Sequence, residues 1–168
     1  MGPGDQPARP LYTPAERQRR DASPWTLVQG VLAPVQFLIF LVSLALVLRA
    51  LATGQGQEAA EASVVVKTLA LYAIMITGSI WEKAVFGRWL FAPAFYWEDV
   101  VSMLVLALHT AYLAALGTSA LGNQALLILA LAAYATYVIN AGQFLLKLRA
   151  ARLEGASTHQ PHFAEALS

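Results

Sequence analysis

Between Asp21 and Arg49 the chain runs 27 residues without an Asp, Glu, Lys or Arg, and between Asp99 and Lys147 it runs another 47. About 20 apolar residues in a helix cross a bilayer core of roughly 30 Å, so the first stretch makes one membrane span. At about 1.5 Å per residue the second would reach ~70 Å as a single helix. It must therefore double back and make two. The turn falls at Gly117-Thr118-Ser119-Ala120-Leu121-Gly122-Asn123, the one Gly/Ser/Asn cluster inside it. A fourth span, residues 62–86, is apolar but carries Lys67 near one end and Glu82-Lys83 near the other.

Composition agrees with this reading and closes off others. The chain has 168 residues, 58% hydrophobic and only 12% charged, about half the charge of an ordinary soluble domain. That excludes disorder and collagen-like repeats. With no cysteine, a disulfide scaffold, a thiolate nucleophile and Cys-based zinc or iron–sulfur sites are excluded too. A net charge of +1 offers no basic face for nucleic acid. Neither a Gly-rich phosphate loop nor an HExxH or EF-hand pattern is present.

The expected architecture is all-α, a four transmembrane helix bundle with spans at about 26–51, 62–86, 100–116 and 124–146. Lipid offers the backbone no hydrogen-bond partner, and no alternating barrel pattern occurs. Pro34 is expected to kink the first span. Residues 1–25 hold Pro3, Pro7, Pro10, Pro14 and Pro24 and read as a mostly extended arm. The membrane domain covers 26–152, and 153–168 read as a loose tail. With the N-terminus cytoplasmic, that side receives Arg9, Arg17, Arg19, Arg20, Lys83, Arg88, Lys147, Arg149 and Arg152, nine in all, against Arg49 and Lys67 outside. The bias predicts both termini cytoplasmic, arm and tail included. No cleavable signal is expected, because the first apolar run is too long and follows a polar arm.

Polar residues inside the spans mark the bundle interior. Gln29, Gln36 and Ser43 share one face of the first span. Gly78, Ser79 and Glu82 mark the second, Glu98, Ser102, His109 and Tyr112 the third, and Thr136, Asn140, Gln143 and Lys147 the fourth. For the amides and hydroxyls the plainer reading is interhelical hydrogen bonding. His109 falls near the midplane, as a hydrogen-bonded structural residue, a proton relay or a metal ligand. His159 and His162 lie in the tail, so a bis-His haem is unsupported. Glu82, Glu98 and Asp99 converge with Lys83 and Arg88 on one level of the membrane, beside the aromatic loop 87–97 with Trp89, Tyr96 and Trp97. Crowded carboxylates at low dielectric tend to hold a proton, which makes a general acid. The plainer reading is a capping and anchoring belt. Arg49 and Lys67 are expected to be snorkelling ends at the outer rim.

Several strings narrow the reading. Leu11-Tyr12-Thr13-Pro14, Arg19-Arg20-Asp21-Ala22-Ser23, Trp25-Thr26-Leu27-Val28-Gln29-Gly30, Thr77-Gly78-Ser79-Ile80-Trp81-Glu82-Lys83, Trp97-Glu98-Asp99 and Leu106-Ala107-Leu108-His109-Thr110-Ala111-Tyr112 resemble the 3-vinyl (bacterio)chlorophyllide hydratase family of bacteriochlorophyll biosynthesis. The matching strings run in order over residues 11–115. The resemblance implies a hydro-lyase that adds water to the C3 vinyl group of chlorophyllide a or its bacteriochlorin counterpart, giving a 3-(1-hydroxyethyl) group, without a redox or other cofactor. It implies a multi-pass protein of the bacterial inner, photosynthetic membrane. It leaves open a homo-oligomer or contact with neighbouring pathway enzymes.

Such a reaction needs a protonated acid near the vinyl group, a base for water, a flat apolar slot, and a cation for the free propionate. Glu82 is the candidate acid, as the deepest carboxylate, and Glu98 or Asp99 would orient or deprotonate water. Trp81, Trp89, Tyr96 and Trp97 are candidates to flank the ring, Lys83 or Arg88 to pair with the propionate, and His109 to ligate the substrate's magnesium. Two other functions fit the same residues. A non-catalytic pigment-binding or assembly factor would use His109 and the aromatics without the carboxylates. A transporter would be expected to show paired interrupted spans, which are absent.

Overall fold

The computed structural model describes residues 10–157, with side chains through 153, and is helical throughout. Its elements are α1 (Pro14–Ala22), α2 (Pro24–Thr53), α3 (Gln57–Phe86), α4 (Tyr96–Thr118) and α5 (Asn123–Ser157). The last four each carry a stretch long and apolar enough to cross a membrane. Helix α2 continues unbroken through Pro34.

The two hairpin turns are set by left-handed residues. Gly54 ends α2 at φ 68°, a conformation only glycine adopts without strain. Ser119 ends α4 at φ 53°, inside the expected Gly/Ser/Asn cluster. Each span starts or stops a little outside its apolar stretch. Helix α3 begins five residues before the expected position, because Gln57, Glu58, Ala59, Ala60 and Glu61 are, taken together, strong helix formers. Likewise α4 begins at Tyr96, so Glu98 and Asp99 lie in its first turn.

The arm is not mostly extended as expected. Thr13 and Glu16 form a reciprocal capping box: Thr13 N–H donates to Glu16 Oε2 (2.8 Å) and Glu16 N–H to Thr13 Oγ1 (3.3 Å). Pro14 occupies the first turn, where a missing N–H does no harm. Nine residues would not hold a helix alone. Tyr12 anchors it, buried and stacked on Phe86 at 5.8 Å, and Arg19 Nε donates to the Val85 carbonyl at 2.7 Å. Burial pushes the Tyr12 phenol up, and Arg20 over its ring pulls it down. The arm is thus a strap latched to the end of α3. In the tail, α5 runs on to Ser157; Arg9, His159 and His162 lie outside the described residues.

Packing runs mostly within two antiparallel pairs, α2 with α3 and α4 with α5. Water does not drive helices together inside lipid, so close approach and polar contacts must. Ala50, Ala60, Ala130 and Ala133 are buried at the centre. Gln29 Nε2 donates to Thr77 Oγ1 at 2.7 Å, and Gln29 lies against Gly78, where a Cβ would meet Oε1 at 3.6 Å. Ser43 joins Ser63 (2.7 Å) and Tyr134 (2.5 Å), linking α2, α3 and α5. The expected interior faces are observed for Gln36, Ser43, Glu82, Glu98, Ser102, His109, Tyr112 and Asn140, all buried. Ser79 and Thr136 instead hydrogen-bond their own helices.

Candidate active site

Two polar layers occupy the interior. The first sits where α3 ends and α4 begins, joined by the loop from Gly87 to Phe95. The residues of this loop use its own backbone as a clamp. The Phe91 N–H donates to Asp99 Oδ2 at 2.8 Å, and the next N–H, of Ala92, to Glu82 Oε2 at 3.3 Å. Phe91 holds φ 58°, an uncommon setting for a bulky residue, and that setting lets successive amides face two carboxyl groups. Glu82 and Asp99 come from different helices, yet two successive amides of one loop hold both side chains. Each is about 4% exposed.

Glu98 is treated differently. Lys147, from α5, reaches its Oε2 at 2.5 Å and also donates to the Ala94 carbonyl. Asn140 donates to the Glu98 carbonyl (2.8 Å), and Ser102 donates to Asn140 Oδ1 (3.1 Å). The cation that joins the three carboxylates is thus Lys147. Lys83 and Arg88, expected on that level, are exposed and make no ion pair with the carboxylates among the described residues, Lys83 Nζ donating to the Gly87 carbonyl at 2.9 Å.

The aromatics divide in two. Trp81 is locked into the structure: its Nε1–H donates to Thr26 Oγ1 at 2.9 Å, and its ring packs edge-on against Phe86 and Phe95. Trp89, Tyr96 and Trp97 are exposed on the rim, together with Phe91. Tyr96 packs against both Phe91 and Trp97. An exposed aromatic rim beside paired carboxylates can cover a flat apolar ligand.

The second layer lies deeper. His109 is fully buried, its Nδ1–H donating to the Val105 carbonyl at 2.8 Å. This hydrogen bond fixes the neutral tautomer and leaves the Nε2 lone pair, which has no partner. Its neighbours include Tyr134, with ring centroids 5.8 Å apart. No group of three metal-ligating side chains is assembled among the described residues, so His109 can contribute one ligand to a metal that arrives inside a molecule.

Lys67 overturns an expectation. It is not a snorkelling end but is 0% exposed, with its ammonium 3.6 Å from the centroid of the Tyr137 ring. It is the eleventh residue of α3, about 15 Å from the helix start. The rim expectation fails because α3 turns Lys67 onto the face that packs against Tyr137 of α5. Arg49, by contrast, is exposed near the end of α2.

The family model for 2-vinyl bacteriochlorophyllide hydratase matches residues 12–150, which include most of α5 with its Asn140 and Lys147. Two proteins named 2-vinyl bacteriochlorophyllide hydratase are close relatives. That of Rhodobacter capsulatus is 65% identical over 155 residues, 92% of this chain and 90% of its own. That of Cereibacter sphaeroides is 66% identical over 148 residues, 88% of this chain and 92% of its own. No solved structure matches. The capped strap, the paired carboxylates under the aromatic loop and the four spans are therefore the form taken by a chain that belongs to the 2-vinyl bacteriochlorophyllide hydratase family.

Proposed function

We propose that this membrane protein is a hydro-lyase that adds water across the vinyl group of a bacteriochlorophyll precursor, as the names of its relatives describe. The substrate is a tetrapyrrole. The finer reading is the C3 vinyl of chlorophyllide a or its bacteriochlorin counterpart (position 2 in the older ring numbering), giving the 3-(1-hydroxyethyl) product.

The observation that carries the mechanism is the Glu82–Asp99 pair under successive backbone amides. Two buried carboxyl groups gathered by neighbouring amides favour holding one proton between them over carrying two charges, so the pair supplies an acid and a base side by side. Glu82 donates its proton to the terminal vinyl carbon. The resulting cation at the inner carbon is delocalised into the macrocycle. Water attacks that carbon and gives a proton to Asp99, which returns it to Glu82. One vinyl group and one water are consumed and both carboxyls are restored. Glu98, paired with Lys147, positions the start of α4. Trp89, Tyr96 and Trp97 cover the ring at the rim, Trp81 supports them from behind, and His109 is the axial ligand proposed for the substrate's magnesium. Lys83 and Arg88 are the rim cations available to the propionate.

The same reading puts the membrane domain at 26–152 in the bacterial inner membrane, with the strap and the tail on its cytoplasmic side. The test is direct. Purified protein in detergent is incubated with a vinyl-bearing chlorophyllide, and the hydroxyethyl product is followed by chromatography. A deletion strain is expected to accumulate vinyl pigments. A normal pigment profile with poor assembly, and no turnover in vitro, would instead support the pigment-binding assembly factor.

A further inference from the structure

The deep layer holds more unanswered polar groups than a structural seam requires. Lys67 Nζ, Tyr112 Oη, His109 Nε2 and Gln36 Nε2 are all buried without a hydrogen-bond partner. They come from α2, α3 and α4, where the two antiparallel pairs of helices meet. Lys67 makes no ion pair: among the described residues the ion pairs are Arg20–Asp21 and Lys147–Glu98. The Tyr137 ring face attracts the ammonium but accepts none of its three N–H bonds. A cation at this depth without a counter-charge is costly, and such residues mark ligand sites by default.

We propose that this seam binds the free carboxylate of the substrate, with Lys67 as counter-cation and Tyr112 as hydrogen-bond donor. The inference rests on the hydratase reading and moves the anchor of the carboxylate from the rim cations Lys83 and Arg88 to Lys67. Lys67 and Tyr112 offer four N–H and O–H bonds against one unpartnered acceptor in the layer, the His109 Nε2 lone pair, and an ammonium without a counter-charge calls for an anion. Lys67 is fully enclosed by the helices, out of reach of a headgroup at the bilayer surface, so the anion must arrive on an apolar body, and a tetrapyrrole bearing a propionate is one. Glu82 lies fifteen residues farther along the same helix, about 22 Å, so a substrate with its acid arm at Lys67 lies along the seam with its far edge toward the carboxylate pair. Lys83 and Arg88 are poorer anchors, since exposed ion pairs are screened by water.

The test compares chlorophyllide with its methyl ester, titrated by absorbance into the full-length protein in detergent. Wild type is expected to bind the acid about ten- to a hundredfold more tightly than the ester, the effect of a hydrogen bond to a charged group. Lys67→Met is expected to bind both at the affinity of the ester, and to melt no lower than wild type, because it removes an uncompensated charge. Tyr112→Phe, which keeps the ring, is expected to narrow the preference several-fold and decides the matter if Lys67→Met does not fold. The proposal is overturned if wild type shows no preference, if Lys67→Met keeps it, or if Lys83→Ala/Arg88→Ala abolishes it instead. Equal hydration of acid and ester overturns the carboxylate site alone. Hydration of neither overturns the hydratase reading and this inference with it.

Discussion

At the scale of single residues, the carboxylates in the first layer have separate tasks, and substitutions should separate them. Glu82→Gln keeps the shape and can still accept from the Ala92 amide, so the fold and pigment binding should survive. It cannot deliver a proton, and hydration should fall by about 10²–10⁴-fold, read as product formed per hour at saturating pigment. Turnover within a few-fold of wild type would transfer the acid role to Asp99. Lys147→Met should act on stability, because Glu98, only 6% exposed, would keep its charge without a partner. Breaking a buried pair costs roughly 3–5 kcal/mol, and partial exposure of Lys147 reduces that toward about 2 kcal/mol. A lower melting temperature in detergent is the readout, and an unchanged one would mean that the pair is screened. The buried carboxylates and His109 were legible in the sequence, since charge within an apolar run stands out. Their partners were not. Lys147 lies 49 positions from Glu98, and no spacing rule joins residues on two helices.

At the scale of elements, helix existence followed from hydropathy, but helix ends did not. Lipid demands only that apolar residues lie within the span; it says nothing of where a helix stops once its side chains become polar. Helix α3 therefore extends through Glu58 and Glu61, and Lys67 becomes its eleventh residue, turned inward onto the Tyr137 ring of α5 and not toward the rim. The strap failed differently. Its prolines suggested an extended arm, yet Pro14 sits in the one turn that tolerates it, and the capping box was present in Thr13 and Glu16. What no local pattern could reveal is the anchor: Tyr12 finds Phe86 and Phe95 from more than seventy positions away. Tyr12→Ala should therefore unlatch α1 without unfolding the spans. Removing a buried aromatic ring costs about 3 kcal/mol or more, enough to release a nine-residue helix that cannot stand alone. Limited trypsin digestion should then cut after Arg17, Arg19 or Arg20 well before the wild type is cut, while the melting temperature changes little. Equal digestion rates would mean that α1 is held by something other than Tyr12.

At the scale of the molecule, the strap, the carboxylate layer and the Lys147 end of α5 all lie at one end of the bundle, because Arg19 reaches Val85 and Lys147 reaches Ala94. The α2–α3 and α4–α5 turns lie at the other. Orientation in the membrane then rests on which end carries the cations. Arg17, Arg19, Arg20, Lys83, Arg88, Lys147, Arg149 and Arg152 belong to the first end, eight among the described residues. With Lys67 buried inside the bundle it leaves the opposite tally, and Arg49 alone remains. Eight against one strengthens the expected bias. Moving the first end across the bilayer would carry the strap's three arginines through hydrocarbon, each at roughly 2.5–3.5 kcal/mol or more. A reporter active only in the cytoplasm should therefore be inactive when fused after Gln55, in the first turn, and active when fused at the C-terminus. A reporter active only outside should give the reverse. Equal outcomes at the two positions would break the four-span topology itself, whereas exchanged outcomes would keep the bundle and invert it. Adding two lysines beside Gln55 should not invert it, since eight against three still favours the same side.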